Sequence, residues 1–432
     1  MFPDGPLTVS PLGAPAVLDW NVPGSKSITN RALVLAALAA GESTLTGVLQ
    51  SDDTLHMRRA LEALGIEVSE QDATTLRVLG GIDRLHEPSQ PLFIGNSGTT
   101  VRFLTAMAAL VPGKVQLDGD PHMQRRPIAD LVEGMAQLGI EVDCATGCPP
   151  LVVRGGGLPG GSVTMRGDRS SQYFSALLMA AAAASGRIEL RIDGELVSRP
   201  YVDITLAMMK SFGGRAESAD QGFVIEPTAG YKPTDYAIEP DASSASYAFA
   251  TAVATGGRVK VQGLGTDSMQ GDYGFCEVLE RAGASVERGR TQTTVTAGPV
   301  HRGIDVDMHD ISDTVMTLAA LAPLGQGPTT IRNVANIRIK ETDRLMATVN
   351  ELKRLGQEVE HGDDWLRITP RPVVPAIVHC YSDHRMAMSF AILGLARPGV
   401  RIEDPACVAK TYPGFWDALE ACYASVGRPA PW

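Results

Sequence analysis

The 432-residue sequence predicts an α/β protein built from six copies of one supersecondary unit, grouped as two domains of three copies. Two series of signals carry the prediction. In the first, a short polar loop opens six times into an apolar, Ala/Leu-rich helix. These starts are Gly24-Ser25-Lys26-Ser27, Gly95-Asn96-Ser97-Gly98, Asp168-Arg169-Ser170-Ser171, Asp241-Ala242-Ser243-Ser244, Asp310-Ile311-Ser312-Asp313 and Tyr381-Ser382-Asp383-His384. Their last residues are 71, 73, 73, 69 and 71 positions apart. In the second, a Leu-Gly-like helix end recurs with the same period at Leu64-Gly65, Leu138-Gly139, Phe212-Gly213, Ala282-Gly283 and Leu355-Gly356. The sixth copy of this end is degraded, at Cys422-Tyr423.

Each copy reads alike in chain order. Two strands separated by a Gly- or Pro-marked turn lead into the first helix, as in Leu151-Val152-Val153 with Ser162-Val163-Thr164-Met165, or Leu366-Arg367-Ile368 with Ala376-Ile377-Val378-His379. A strand ending in a polar turn follows that helix, at Leu45-Thr46-Gly47, Leu117-Asp118-Gly119, Ile192-Asp193-Gly194 and Val261-Gln262-Gly263. The second helix then runs to the Leu-Gly signal. Strands alternating with helices of this length specify an α/β architecture. Only nine residues follow Tyr423, so the last copy lacks strands. The missing strands are found in Leu7-Thr8-Val9-Ser10 and Ala16-Val17-Leu18-Asp19-Trp20 at the other terminus, so the N-terminal segment is expected to complete the last half of the protein. The domains are therefore expected at 21–240 for copies one to three, and at 1–20 plus 241–432 for copies four to six. Residues 20–23 and 239–241 form the expected hinge, and the cleft between the domains is the default ligand site.

Hydrophobic residues at 44% and charged residues at 20% are ordinary for a globular chain of this size. The net charge of −11 argues against general nucleic-acid binding, so affinity for anions must come from local Lys and Arg placement. Met1-Phe2-Pro3-Asp4 has neither the basic nor the apolar region of a secretory leader, and the expected location is the cytoplasm. The longest apolar runs, Ala32–Ala40 and Ala176–Ala184, fall short of the ~20 residues needed to cross a bilayer. The six cysteines are scattered, and Cys144 with Cys148 lacks a second ligand pair, so neither a metal nor an organic cofactor is expected. A monomer is expected.

The repeated starts matter chemically because a helix N-terminus carries unpaired N–H groups and the positive end of the dipole. Several such termini brought together make an anion site. Lys26, Arg102, Arg126, Arg344, Arg385 and Lys410 all stand at loop-to-helix junctions. A single basic residue there reads as solvated surface charge. Six at equivalent places argue for an anion, because a cation at a helix start opposes the dipole.

These residues carry a specific resemblance. Gly24–Arg31, Gly95–Arg102, Lys340-Glu341-Thr342-Asp343-Arg344-Leu345, Ser382–Met388 and Ala409-Lys410-Thr411-Tyr412-Pro413 resemble the 5-enolpyruvylshikimate-3-phosphate synthase family, with similarity running from about residue 20 to residue 416. The resemblance implies two domains of three βαβαββ units, an inside-out α/β barrel. It also implies transfer of the enolpyruvyl group of phosphoenolpyruvate to shikimate 3-phosphate, with phosphate released. By resemblance, Lys26, Gly98, Arg126, Gln172, Arg344, Arg385 and Lys410 hold phosphoenolpyruvate. Lys26, Ser27, Arg31, Ser170, Ser171, Gln172, Ser198, Tyr201, Asp313, Asn336 and Lys340 hold shikimate 3-phosphate. Ser170-Ser171 reads equally as an N-cap, and Tyr201 as a packed core ring. The resemblance further implies Asp313 as acceptor of the 5-hydroxyl proton and Glu341 as the group exchanging a proton with the methylene carbon, assisted by Lys26. Read alone, Asp313 is a helix cap and Glu341 an i,i+3 surface partner of Arg344. Where many relatives have Pro after Arg102, this chain has Phe103.

Three other readings stand beside this one. A UDP-N-acetylglucosamine enolpyruvyl transferase shares the fold, but it resembles a Lys-Asn start and carries a loop cysteine; here the start is Lys26-Ser27, and Asp120–Pro127 contains none. A P-loop needs Gly adjacent to Lys and another Gly at position 19, where Asp19 stands. A non-enzymatic repeat scaffold explains the period but not why polar residues differ between copies.

Overall fold

The computed structural model describes residues 5–432; Met1–Asp4, the start on which the absence of a leader was argued, lie outside the described residues. Two compact units are present. One comprises Gly24–Ile238, the other the N-terminal residues to Pro23 with Glu239–Trp432, and each has its own apolar core. Asn21–Pro23 and Glu239–Pro240 belong to the second unit for a local reason. The Asn21 carbonyl accepts from Tyr412 Oη at 2.9 Å, and the Asp241 N–H donates to the Pro23 carbonyl at 2.8 Å.

In the unit Gly24–Ile238 three helices form the interior: Lys26–Ala37, Gly98–Ala108 and Ser171–Ala181. They are apolar almost all round, and nearly every residue is buried, as such helices require. Around them lie three four-stranded sheets, one per copy. The strand Gly113–Asp118, for example, lies parallel to Leu92–Phe93 and antiparallel to Leu151–Gly155, which closes a hairpin with Glu141–Asp143. Burial alternates along Leu151–Gly155 and Thr75–Gly80, so each sheet turns one face to the helices and one to water. This is the inside-out arrangement. The other unit repeats it with helices Ala242–Thr255, Val315–Leu321 and His384–Gly394 inside.

The strands at the two crossings are exchanged. Val17–Trp20 precedes the helix Lys26–Ala37 in sequence but pairs parallel with Arg258–Gln262 in the fourth copy's sheet. Tyr236–Ala237 precedes Ala242–Thr255 but pairs parallel with Gly41–Thr46 in the first. At the N-terminus, Leu7–Thr8 pairs antiparallel with Val400–Ile402, giving the sixth copy a three-stranded sheet.

One sequence expectation needs correction. The sixth helix end is not degraded at Cys422-Tyr423, because the helix Phe415–Ser425 continues past it. It stops at Val426-Gly427, where Gly427 has φ +70°, the left-handed conformation also found at Gly65, Gly139, Gly213, Gly283 and Gly356. Leu-Gly has become Val-Gly, and the period survives.

Candidate active site

In the unit Gly24–Ile238 the starts of the three inner helices carry a linked set of polar groups. Lys26 opens its helix, with Nζ 3.3 Å from the buried Asp53 Oδ2. The Asp53 carbonyl accepts from Thr100 Oγ1 on the helix Gly98–Ala108. Gly98 opens that helix between two guanidinium groups. A Cβ built there would stand 2.5 Å from Arg126 Nη2 and 2.6 Å from Arg102 Nη1, so position 98 accepts only hydrogen without displacing a cation. Arg126 donates to Asn96 O at 3.1 Å and to its Oδ1 at 3.2 Å, and Arg102 donates to Gln172 Oε1 at 2.9 Å. Ser170 Oγ accepts from the Gln172 N–H at 3.3 Å, so it caps the helix headed by the buried Ser171.

Arg31 is packed inside the unit Gly24–Ile238. It is 1% exposed and donates to Thr205 Oγ1, Ser27 O, Ser175 Oγ and Tyr201 O, at 2.7, 2.9, 3.2 and 3.0 Å. Its guanidinium lies 5.1 Å from the Phe103 ring centroid, and burial pulls its pKa down to about 10. In this structure it clamps the helix starts from inside. Tyr201 is half-buried and its N–H donates to Ser198 O; Ser198 holds φ +52°, a left-handed strain for a residue with a Cβ.

In the other unit Arg344 is the centre. It opens the helix Arg344–Arg354 with a side chain 2% exposed. Nε donates to Asp383 Oδ2 at 2.7 Å, Nη2 to Glu341 Oε2 at 2.7 Å, and Nη1 to Asp313 Oδ1 at 3.1 Å. Burial alone would lower its pKa, but Asp383, Glu341 and Asp313 outweigh burial and raise it. Arg385 donates to the other oxygen of Asp313, Oδ2, at 2.7 Å. Lys410 Nζ lies 3.8 Å from Glu341 Oε1. Asn336 Nδ2 donates to Ser312 Oγ at 3.1 Å, tying the segment that ends at half-buried Lys340 to the turn Ser312–Thr314 bearing Asp313.

Both bland readings of the carboxylates need revision. Asp313 is more than a helix cap, because both its oxygens face guanidinium groups. Glu341 does pair with Arg344, but at 7% side-chain exposure the pair is not a surface one.

Sequence reasoning missed Asp53, Asp383 and Asp272. Asp383 lay inside a quoted motif without a role. It is fully buried, chelates Arg344, and caps His384–Gly394 by accepting from the Arg385 N–H at 2.9 Å. Its loop is strained, with Tyr381 at φ +56° and Ser382 at φ +54°. The buried Glu351 holds it by accepting from Tyr381 Oη at 2.7 Å and the His379 N–H at 3.0 Å. Internal carboxylates therefore already answer several cations that seemed to call for an external anion.

Burial pushes the Cys276 and Cys422 thiols up to about 12, and those of Cys144 and Cys148 upward. Among the described residues no group of three or more His, Cys, Asp or Glu is placed to hold a metal, and no helix is long and apolar enough to cross a membrane.

A family model described as EPSP synthase (3-phosphoshikimate 1-carboxyvinyltransferase) matches residues 17–419. A 3-phosphoshikimate 1-carboxyvinyltransferase from Photorhabdus laumondii is 47% identical over 407 residues, covering 93% of this chain and 95% of the relative. One from Vibrio campbellii is 45% identical, covering 93% and 96%. Among solved structures, an EPSP synthase from Acinetobacter baumannii superposes with a TM-score of 0.81 at 24% identity, covering 96% of this chain and 97% of that one, a likeness of fold.

Proposed function

Because the chain belongs to the EPSP synthase family, we propose that it transfers the enolpyruvyl group of phosphoenolpyruvate to the 5-hydroxyl of shikimate 3-phosphate and releases phosphate. The observation that carries this reading chemically is the pairing of Asp313 and Glu341 on one buried guanidinium. Two carboxylates held beside cations suit a reaction that moves one proton off an oxygen and another onto and off a carbon.

The 5-oxygen attacks C2 of phosphoenolpyruvate while Asp313 takes the hydroxyl proton. Glu341, once freed from Arg344 by the arriving anion, takes up a proton from solvent and delivers it to C3, assisted by Lys26, and the methylene becomes a methyl group in a tetrahedral intermediate. Loss of a methyl proton back to Glu341 then re-forms the double bond as the C2–O bond to phosphate breaks. Lys26, Arg126, Arg344, Arg385 and Lys410 neutralise the phosphate and carboxylate of phosphoenolpyruvate, with Gln172 and Gly98 beside it. Arginine's planar fork suits those anions. Ser27, Ser170, Ser171, Gln172, Ser198, Tyr201, Asn336 and Lys340 hold shikimate 3-phosphate. Arg31, which also holds the Ser27 and Tyr201 backbones, belongs to the same set.

Arg344 and Arg385 already hold Asp313 and Glu341. An arriving substrate anion competes for those guanidinium groups, which frees the carboxylates for proton transfer. The reading takes the chain to act as a cytoplasmic monomer without a cofactor. Phosphate release on adding phosphoenolpyruvate with shikimate 3-phosphate, against UDP-N-acetylglucosamine as the alternative acceptor, is the test. Release with the sugar nucleotide alone would overturn the proposal.

A further inference from the structure

Of the six repeated helix starts, the one at Asp241-Ala242-Ser243-Ser244 has no part in the reaction above, yet it holds a buried acid. Ser243 Oγ donates to Oδ2 of Asp272, which lies in the turn Gly271–Gly274 at 4% exposure. Four residues along the same helix, and so on the same face, Tyr247 Oη lies 3.5 Å from Arg385 Nη1. Arg385 in turn grips Asp313 through Nη2 at 2.7 Å. The fourth helix start and the proposed base thus meet through one arginine.

We propose that Asp272 is a positioning residue for the Asp313–Arg385 pair: of the two carboxyls, Asp272 holds the proton, so that Asp313 is the anion and Arg385 keeps charge to offer a substrate. The inference rests on the reaction proposed above. Two carboxyls in one field, Asp272 buried and Asp313 with a side chain 19% exposed, do not both ionise cheaply, and their environments decide which does. Asp313 accepts from two guanidinium groups, whereas Asp272 accepts from a hydroxyl. The charges acting on Asp272 agree. Burial and then the charge of Asp313 push its pKa up, Ser243 and Arg385 draw it back, Asp241 pushes again, and it settles at about 7. The following helix, Phe275–Arg281, keeps its charged Glu277, Glu280 and Arg281 exposed. When Asp272 ionises, a second negative charge acts on Arg385 and the hold on an anionic substrate loosens.

The test is kcat/KM for phosphoenolpyruvate between pH 5.5 and 9 in the wild type, Asp272→Asn and Ser243→Ala, with each variant divided by the wild type to cancel the titration of the substrates. The wild type should lose about three- to tenfold through one ionisation near neutrality, the size expected of one nearby charge in a partly screened site. Asp272→Asn, which mimics the neutral acid, should lack that step and stay within about twofold of the wild type at pH 6. Ser243→Ala removes a bond that favours the carboxylate, so its step should move to higher pH. An Asp272→Asn enzyme that keeps the wild-type step, or that is folded yet equally inactive at every pH, would overturn the proposal. Infrared difference spectra read the same proton without turnover: a protonated-carboxyl band present in the wild type at pH 6 should vanish in Asp272→Asn. If the wild type releases no phosphate, the reaction fails, while the infrared result still decides where the proton sits.

Discussion

Removing Asp383 should weaken one unit of the protein, by an amount that separates two roles of the same side chain. Asp383 is fully buried and holds Arg344, itself 2% exposed, through contacts of 2.7 and 3.3 Å. It also caps the helix His384–Gly394. Breaking a buried ion pair by deleting one partner costs about 3–5 kcal/mol, and losing a cap adds about 1 kcal/mol. Asp313 and Glu341 still face Arg344 after the deletion, which places Asp383→Ala near the lower end, about 4 kcal/mol. That is a large part of the ~5–15 kcal/mol that holds a domain folded. With a urea dependence of about 2 kcal/mol per molar, the midpoint should fall by about 2 M. Asp383→Asn keeps a good capping group and loses only the charge, so it should fall about half as far. The fluorescence assay is selective, because Trp20, Trp365, Trp416 and Trp432 all lie in the unit that contains Asp383. A midpoint unchanged in Asp383→Ala would refute the energetic argument; an Asn variant as unstable as the Ala variant would refute the division between charge and cap.

Four further outcomes are expected. Asp313→Asn should lower kcat by about 10²–10⁴-fold, while calorimetry shows phosphoenolpyruvate binding as tightly or more so, because two guanidinium groups lose a competing carboxylate; an undiminished kcat would remove Asp313 from the proton path. Glu341→Gln should abolish exchange of solvent deuterium into the methylene carbon, and exchange at the wild-type rate would leave Glu341 as only a partner of Arg344. Gly98→Ala pushes a methyl group against Arg126 and Arg102, and should raise KM for phosphoenolpyruvate by about 10–10²-fold with little change for shikimate 3-phosphate; equal losses for both substrates would contradict the geometry. Asp272→Asn should also change stability with pH. The raised pKa of Asp272 means that folding favours its protonated form, a contribution whole below the unfolded carboxyl value of 3.8 and lost as pH rises through about 7. The variant should therefore melt above the wild type at pH 8 and with it at pH 3.5, and a pH-independent difference would count against a buried titrating acid.

The repeat was legible because it is written locally. A polar start, an apolar helix and a glycine end each occupy a few neighbouring residues, and copying them at a steady period exposes the architecture. The strand exchange was less legible, since Val17–Trp20 reads as a strand whichever sheet it joins. The last helix end was hidden by one substitution, Val426 where other copies have Leu, Phe or Ala. The partners of Arg31 were not legible, because its place in the pattern could not reveal that Thr205, Ser175 and Tyr201 would surround it.

The carboxylates were the hardest to read, for a physical reason that follows from the repeat. Periodicity tells which residues occupy equivalent helix starts, but the charge balance is settled by contacts between residues far apart in the chain, within a copy as well as between copies. Arg344 meets Asp313 31 positions before it and Asp383 39 positions after it. Asp272 meets Ser243 across 29 positions. A cation at a helix start looked unfavourable only while its partners were invisible: Arg344 finds Asp313 at the start of its own copy's inner helix and Asp383 at the start of the next copy's. Bringing these helix starts together therefore does two things at once. It gathers Arg344 and Arg385 where they oppose their own dipoles, and it supplies Asp313 and Asp383 to neutralise them. The cations are stable without substrate because carboxylates hold them, and the acids proposed for catalysis are among those carboxylates. Mutating either partner must then disturb both binding and proton transfer, and for that reason the kcat and binding effects of Asp313→Asn are expected to move in opposite directions.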